Sequence, residues 1–85
     1  MHYADIRTSE RLQRVLRYLY SQFDATGMDI ITCAGVASLT AAISELRENG
    51  YNIKCRVIGK GYSRVAIYKL MNKAKAKRFL DKINK

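Results

Sequence analysis

The sequence predicts an α+β fold in which three helices are followed by a β-hairpin and a fourth helix. Apolar residues recur at the helical spacing of three and four as far as Gly50. They alternate with polar residues between positions 53 and 70, and the helical spacing returns from Asn72. With 85 residues, of which 48% are hydrophobic and 27% charged, the chain has the size and composition of one small globular unit.

The first helix is predicted over residues 9–23, where Thr8 or Ser9 can cap its start. Its apolar stripe comprises Leu12, Val15, Leu16, Leu19 and Phe23. Another face carries Arg7, Arg11, Arg14 and Arg17. These arginines either pair with acidic residues and solvent, or, in the case of Arg7 and Arg11 at the helix start, contact phosphate.

The next two helices are predicted to be joined by a glycine turn. Thr26 to Asp29 fits a capping box, from which a short helix runs to Ala34. Gly35 then adopts a left-handed turn, and a third helix runs from about Val36 to Asn49 before Gly50 ends it. Two helices joined in this way form a helix-turn-helix. The inward side of the third helix is expected to hold Val36, Leu39, Ile43 and Leu46.

A basic hairpin follows, with a tip at residues 59–63 that contains two glycines. Three helices and then a basic hairpin is the order of a winged helix. After it, the stripe Ala76, Phe79, Leu80 and Ile83 predicts either a helix docked on the core or a basic arm that orders on binding. We therefore divide the chain into a winged-helix domain at 1–70 and a basic amphipathic C-terminal helix or arm at 71–85.

The positive charge is concentrated in the C-terminal part of the sequence. The net charge is +9, and residues 51–85 hold eleven basic residues and one acidic residue. Such a distribution attracts polyanions, which makes nucleic acid the first expected partner and an acidic membrane surface or acidic protein the second. The apolar stripe of the last segment is short for an amphipathic membrane helix, so a membrane role is not expected.

The stretch from Thr8 to Leu70 resembles a small winged helix-turn-helix family of phages and prophages. The resemblance is carried by the third helix, Leu39-Thr40-Ala41-Ala42-Ile43-Ser44-Glu45-Leu46-Arg47-Glu48-Asn49-Gly50-Tyr51-Asn52-Ile53, and by the last strand, Val65-Ala66-Ile67-Tyr68-Lys69-Leu70. The chain departs from the family pattern at Ala42, where similar sequences have an arginine before the Ile-Ser pair. The resemblance implies a winged-helix fold and DNA binding in a phage or prophage setting.

The third helix is expected to present short side chains to DNA. The candidates are Ala37, Ser38, Thr40 and Ala41, because the first turns of a recognition helix meet base edges. The two hydroxyl groups can donate to bases or phosphates, and the alanines can touch a thymine methyl group. Glu45 and Glu48 are predicted to point outward, where they would repel phosphates.

The hairpin is the stronger candidate for phosphate contact. Its candidate residues are Lys54, Arg56, Lys60, Tyr62 and Arg64. The alternative is a charged edge hairpin that prevents strand aggregation. Further possible phosphate contacts are Arg7, Arg11, Lys73, Lys75 and Lys77.

Catalysis, cofactors and metals are not expected. The sequence contains no phosphate-binding glycine motif and no paired acid–base spacing, and its one histidine is His2. Cys33 and Cys55 lack a zinc-ligand spacing and are predicted to be free thiols that are buried or half-buried in a reducing compartment. The start of the chain has neither a signal peptide pattern nor a membrane span, which predicts the cytoplasm of a bacterial host.

Two functions from different classes remain open at this point. The first is a small phage-type protein that binds double-stranded DNA, either a transcriptional regulator or an excisionase-like architectural factor. The second is a winged-helix module that binds, and thereby inhibits or redirects, a host protein. A homodimer is possible in the first case, because pairing turns two weak half-site contacts into one strong one.

Overall fold

The computed structural model describes residues 4–83, which form four helices and a three-stranded antiparallel sheet. His2 lies outside the described residues. The order of elements confirms the predicted α+β winged helix. The elements are α1 (Glu10–Ser21), β1 (Ala25–Thr26), α2 (Gly27–Ala34), α3 (Leu39–Glu48), β2 (Ile53–Ile58), a 3-10 turn (Gly61–Ser63), β3 (Val65–Leu70) and α4 (Lys73–Ile83).

Helix α1 supplies the centre of the core and ends earlier than predicted. The Ser9 hydroxyl accepts a hydrogen bond from the Leu12 amide at 3.3 Å, which caps the start of the helix. Phe23, however, was predicted in the apolar stripe and is 72% exposed. The backbone becomes extended at Gln22, so Phe23 loses its helical relation to Leu19 and points away from the core. The stripe residues that are buried as predicted are Leu12, Val15, Leu16 and Leu19.

The helix-turn-helix has the predicted Thr26 cap and glycine turn but a shorter third helix. The Thr26 hydroxyl accepts from the Asp29 amide at 3.1 Å, and Gly35 has the predicted left-handed conformation with φ of 66°. Helix α3 begins at Leu39, and not at Val36, because the Ser38 hydroxyl accepts from the Ala41 amide and ends the preceding turn. Val36 is buried as predicted, although it lies in the connection before the helix.

The sheet has the strand order β1-β3-β2, and its two faces differ in what they contact. Cys55 pairs with Tyr68 across β2 and β3, and Arg56 pairs with Ile67. The Tyr68 side chain lies on the face toward the helices, next to the start of α2. We call this the inner face. The opposite, outer face carries Lys54, Arg56, Ile67 and Lys69.

Helix α4 is docked on α1, which decides between the two alternatives for the C-terminal segment. Ala76 and Leu80 are buried in the same core as α1, and Phe79 and Ile83 pack against its rim. Two lysines of α4 also hold carbonyl groups at helix ends. Lys73 Nζ donates to the Gln22 carbonyl at 2.9 Å, and Lys75 Nζ donates to the Asn49 and Gly50 carbonyls at 3.2 Å each.

Both cysteines are free, as predicted, but they are exposed and not buried. The prediction was wrong because Cys33 lies on the outward side of α2, and Cys55 lies on the part of the hairpin that extends past the core. Within residues 4–83, no single helix is long and apolar enough to span a membrane, although α2 and α3 together, bent by 89°, would meet that length and composition.

Candidate nucleic-acid interface

A notch forms where the hairpin meets the starts of α2 and α3. The side chains of Leu39 and Tyr68 lie close to the backbone of Gly27. A Cβ atom at Gly27 would lie 2.9 Å from Leu39 Cδ2 and 3.6 Å from the Tyr68 ring. A glycine is therefore needed at the first residue of α2 to bring these elements together. The notch is lined by Thr26, Gly27, Met28, Leu39, Arg64, Val65, Ala66 and Tyr68. Arg64 of the hairpin and Leu39, the first residue of α3, therefore line the same notch.

The start of α3 is an exposed surface of short side chains. Ala37, Ser38, Thr40 and Ala41 are all exposed, so the structure brings these four predicted residues together. The Ser38 oxygen accepts from the Ala41 amide at 3.4 Å, which leaves its O–H group available as a donor. The first turn of the helix adds backbone N–H groups that favour an anion. The surface therefore offers donors and methyl groups, as expected, but no bulky side chain.

The tip of the hairpin carries two cations beside an aromatic ring. Lys60, Tyr62 and Arg64 are exposed, and the Tyr62 side chain is fully so. In the described part of the chain, neither Lys60 nor Arg64 forms an ion pair with a carboxylate. Both are therefore free to meet an external anion. Of these three residues, Arg64 also lines the notch and so connects the hairpin tip to the start of α3.

The architecture of helix-turn-helix, notch and hairpin agrees with a comparison against known families. A family model of the winged helix-turn-helix domain matches residues 10–73. The chain belongs to this family. No curated protein and no solved structure gives a significant match. Membership in a winged helix-turn-helix family suggests DNA binding.

The recognition helix of this winged helix-turn-helix domain carries less exposed negative charge than the sequence predicted. Glu45 was expected to point outward, but its carboxylate accepts from Arg11 Nη2 at 2.6 Å and from the Ala4 amide at 2.6 Å. The hydrogen bond from Arg11 holds the pKa of Glu45 below its usual value. The reason for the error is that α1 lies alongside this face of α3. Glu48 is exposed, as predicted.

The departure from the family pattern at Ala42 falls in the core of the domain. Ala42 is fully buried between α3 and the rest of the helical core. A side chain at this position points away from solvent and does not reach DNA. The alanine therefore leaves the outward face of the recognition helix unchanged.

The structure separates Lys54 and Arg56 from the start of α3. Both lie on the outer face of the sheet, while the notch opens on the inner face. Arg56 Nη2 is 3.3 Å from the Asp24 carboxylate. Lys54 lies directly opposite Lys69 in the register of β2 and β3. These two predicted DNA contacts therefore belong to a different surface of the winged helix-turn-helix domain.

The other predicted phosphate contacts are mostly engaged within the chain. Arg7 binds the Asp5 carboxylate, with the shortest contact at 2.6 Å, and this hydrogen bond lowers the pKa of Asp5 to about 2. Arg11 pairs with Glu45. The ammonium groups of Lys73 and Lys75 hold the carbonyls described above. The Lys77 side chain is exposed on α4, with no carboxylate partner among residues 4–83.

Sequence reasoning missed one residue of the interface and one of its supports. Met28 lines the notch and is 70% exposed. The only sign of this in the sequence is that Met28 is an apolar residue outside every predicted apolar stripe. Arg47, in the last turn of α3, donates to the Ile53 carbonyl from Nη2 at 2.7 Å and from Nε at 3.2 Å. This contact fixes α3 against β2 and so holds the recognition helix at a set angle to the hairpin. Nothing in the local sequence pattern identified that carbonyl as its partner.

Proposed function

We propose that this protein binds duplex DNA, with the start of α3 in the major groove and the hairpin tip on the adjacent phosphate backbone. One observation carries the proposal, which is the position of Arg64 in the notch beside Leu39 and the exposed start of α3. A helix that enters a groove and a cation that meets the bordering phosphates need this spacing on one surface.

The two parts of the surface would contribute differently to binding. Lys60 and Arg64 would neutralise phosphates and supply affinity that does not depend on sequence. Ser38 and Thr40 would donate to bases or phosphates, and Ala41 would contact a thymine methyl group. Because the first turns of α3 contain no side chain that makes two bonds to one base, direct contacts would give a modest sequence preference.

The resemblance to phage and prophage sequences supports a role as a small transcriptional regulator or an excisionase-like architectural factor in a bacterial cytoplasm. Because one copy would have only a modest preference for a DNA sequence, we propose that two copies bind to neighbouring half-sites. Their recognition helices would then lie about 34 Å apart, one turn of the DNA helix. Such cooperation would supply the specificity that a single α3 surface lacks.

Fluorescence anisotropy with two labelled duplexes tests the proposal. One duplex comes from the DNA that flanks the gene and the other has the same composition in scrambled order, each at about 50 and 200 mM salt, where phosphate contacts weaken. We expect both duplexes to bind, the native one more tightly, with an affinity that falls steeply as salt rises. A folded protein that binds neither duplex at the lower salt would contradict the proposal.

A pair of charge-matched variants locates the surface. Arg64→Gln should weaken binding to both duplexes and reduce the slope of log affinity against log salt by about 0.9, the value for one phosphate contact. Lys82→Gln removes one charge from the exposed side of α4, at a residue that does not line the notch, and should leave the slope nearly unchanged. Equal effects of the two variants would mean that net charge, and not the notch, drives binding.

A further inference from the structure

The outer face of the sheet contains a groove that the proposed DNA surface does not use. Its floor is apolar, formed by the half-buried Ile67 with Phe23 and Met71 at its sides. Phe23 is 72% exposed and Met71 is 41% exposed, so two large apolar side chains face solvent together. Scattered exposed apolar residues are common, but grouped ones in a concave surface mark contact sites.

The rim of this groove is basic. Lys54, Arg56 and Lys69 surround the floor. Among the described residues, Asp24 is the one acidic residue that lines the groove. That carboxylate is paired with Arg56 at 3.3 Å. Lys54 and Lys69 have no carboxylate partner within residues 4–83, so the rim presents uncompensated positive charge.

The combination of an apolar floor and a basic rim restricts the ligand. A second copy of this chain that docked groove to groove would bring Lys54 and Lys69 against like charges, in a protein whose net charge is already +9. Duplex DNA presents phosphates but nothing apolar to cover Phe23 and Met71. An acidic polypeptide with large apolar side chains satisfies both features.

The groove offers single-stranded nucleic acid one aromatic ring, and one of the two faces of that ring is already covered. Base stacking needs an open ring face. Lys69 Nζ lies 4.2 Å from the centroid of the Phe23 ring, so a cation already covers one face of that ring. The same cation is well placed to meet a carboxylate whose neighbouring side chain packs on the phenyl edge.

We propose that the outer-face groove binds an acidic segment of a partner protein, with an aliphatic or aromatic side chain of that segment on Phe23, Ile67 and Met71 and its carboxylates on Lys54 and Lys69. The groove opens on the face opposite the notch. DNA and the acidic segment would therefore bind at the same time, and the protein would tether an acidic partner to its DNA site. The inference does not require DNA binding, which is measured separately.

Fluorescence anisotropy with defined probes tests the groove. The first probe is a labelled twelve-residue peptide in which glutamate alternates with leucine and phenylalanine. The second has lysine in place of each glutamate, and the third is a labelled single-stranded oligothymidylate. We expect the acidic peptide to bind at least tenfold more tightly than either of the others. A preference for the oligothymidylate, or no binding of the acidic peptide, would overturn the proposal.

Variants separate the groove from general attraction to a basic protein. Phe23→Ala and Lys69→Glu should each weaken acidic-peptide binding about tenfold, a loss expected for one central contact. Lys82→Glu makes the same charge change on the exposed side of α4 and should have a much smaller effect. Equal losses in Lys69→Glu and Lys82→Glu, or no loss in Phe23→Ala, would overturn the proposal. Because all three side chains are at the surface or its rim, circular dichroism should show folded proteins.

A competition experiment between duplex DNA and the acidic peptide tests whether the notch and the groove bind their ligands independently. Saturating unlabelled duplex DNA should leave the affinity for the labelled acidic peptide within about threefold of its value without DNA, since the notch and the groove share no lining residue. Displacement of the peptide by duplex would place both ligands on one surface and overturn the assignment to the outer face. If DNA binding itself fails, the peptide measurement still tests the groove.

Discussion

Arg11 on α1 and Glu45 on α3 form an ion pair whose Nη2 and Oε1 atoms are 2.6 Å apart. Both side chains are largely shielded, with exposed fractions of 35% for Arg11 and 19% for Glu45. The Glu45 carboxylate also accepts from the Ala4 amide. One carboxylate thus connects α3 to α1 and to the segment before it, and its negative charge is held in an ion pair.

Replacing this carboxylate should change how stability depends on pH. The hydrogen bond from Arg11 lowers the folded-state pKa of Glu45 below the unfolded value of 4.5. The carboxylate therefore stabilises the fold above that value, and the gain is lost as pH falls through the folded pKa. We expect Glu45→Gln to lower the free energy of unfolding by about 1 kcal/mol at neutral pH, and by less in acid.

Urea unfolding of both proteins at about pH 7 and pH 3, on either side of the unfolded pKa of a glutamate, measures the effect. Glu48→Gln is the matched control, because Glu48 is exposed on the same helix and forms no ion pair in the described residues. A stability difference for Glu45→Gln that is the same at both pH values would mean that the carboxylate charge does not stabilise the fold.

Lys75 should matter for stability more than its neighbour Lys77. Its ammonium group donates to the Asn49 and Gly50 carbonyls at the end of α3 and lies 4.9 Å from the centroid of the Tyr51 ring. Lys75→Met keeps the aliphatic stem but removes these interactions, and should lower the free energy of unfolding by about 1 kcal/mol. Lys77→Met removes an exposed charge and should change it by less than about 0.5 kcal/mol. Thermal or urea unfolding compares the two variants, and equal losses would contradict the capping role.

A negative charge at Ser38 should weaken DNA binding without weakening the fold. Aspartate is as good an N-cap as serine, so Ser38→Asp should retain the bond to the Ala41 amide. Its charge would face phosphates at the start of α3 and should reduce affinity for duplex DNA about tenfold at low salt. Anisotropy titration measures this, with Ala74→Asp on the exposed side of α4 as the charge-matched control. Undiminished binding by a folded Ser38→Asp would remove this surface from the interface.

Replacing Gly35, in the turn between α2 and α3, should lower stability through backbone conformation alone. Gly35 has φ of 66°, and a Cβ atom added there would meet nothing within 4 Å. Gly35→Ala should therefore lower the free energy of unfolding by about 1 kcal/mol through the left-handed conformation, without any clash. Gly35→Asn should be milder, because asparagine tolerates that conformation better than alanine. Chemical denaturation ranks the three proteins, and an alanine variant as stable as the parent would contradict the assigned conformation.

Much of the fold could be predicted because it depends on local patterns. The Thr26 cap and the left-handed Gly35 follow from short-range backbone chemistry and were found where the sequence placed them, and Ser9 is the one of the two candidates, Thr8 and Ser9, that caps α1. The change of period after Gly50 located the hairpin in the same way. Strand β1 escaped prediction because two residues carry no periodicity, and Ala25 and Thr26 are a strand only through pairing with β3.

The candidate interface was predicted less completely because a sequence shows which residues are charged but not which groups their side chains contact. Sequence position alone grouped Lys54 and Arg56 with Arg64, yet alternation along the strands and the packing of the sheet put them on opposite sides of the hairpin. The same holds for Lys73 and Lys75, whose targets are carbonyls of distant segments.

The sequence by itself determined the order of the four helices and the hairpin, the helix caps and the basic character of the C-terminal part, because these depend on residues only a few positions apart. The tertiary structure alone decided that Phe23 lies outside the core, that Glu45 is held by Arg11, and that Arg64 stands beside the start of α3. The second and third relations join residues far apart in the chain, so they follow from the packing of the helices and the sheet and not from a local pattern.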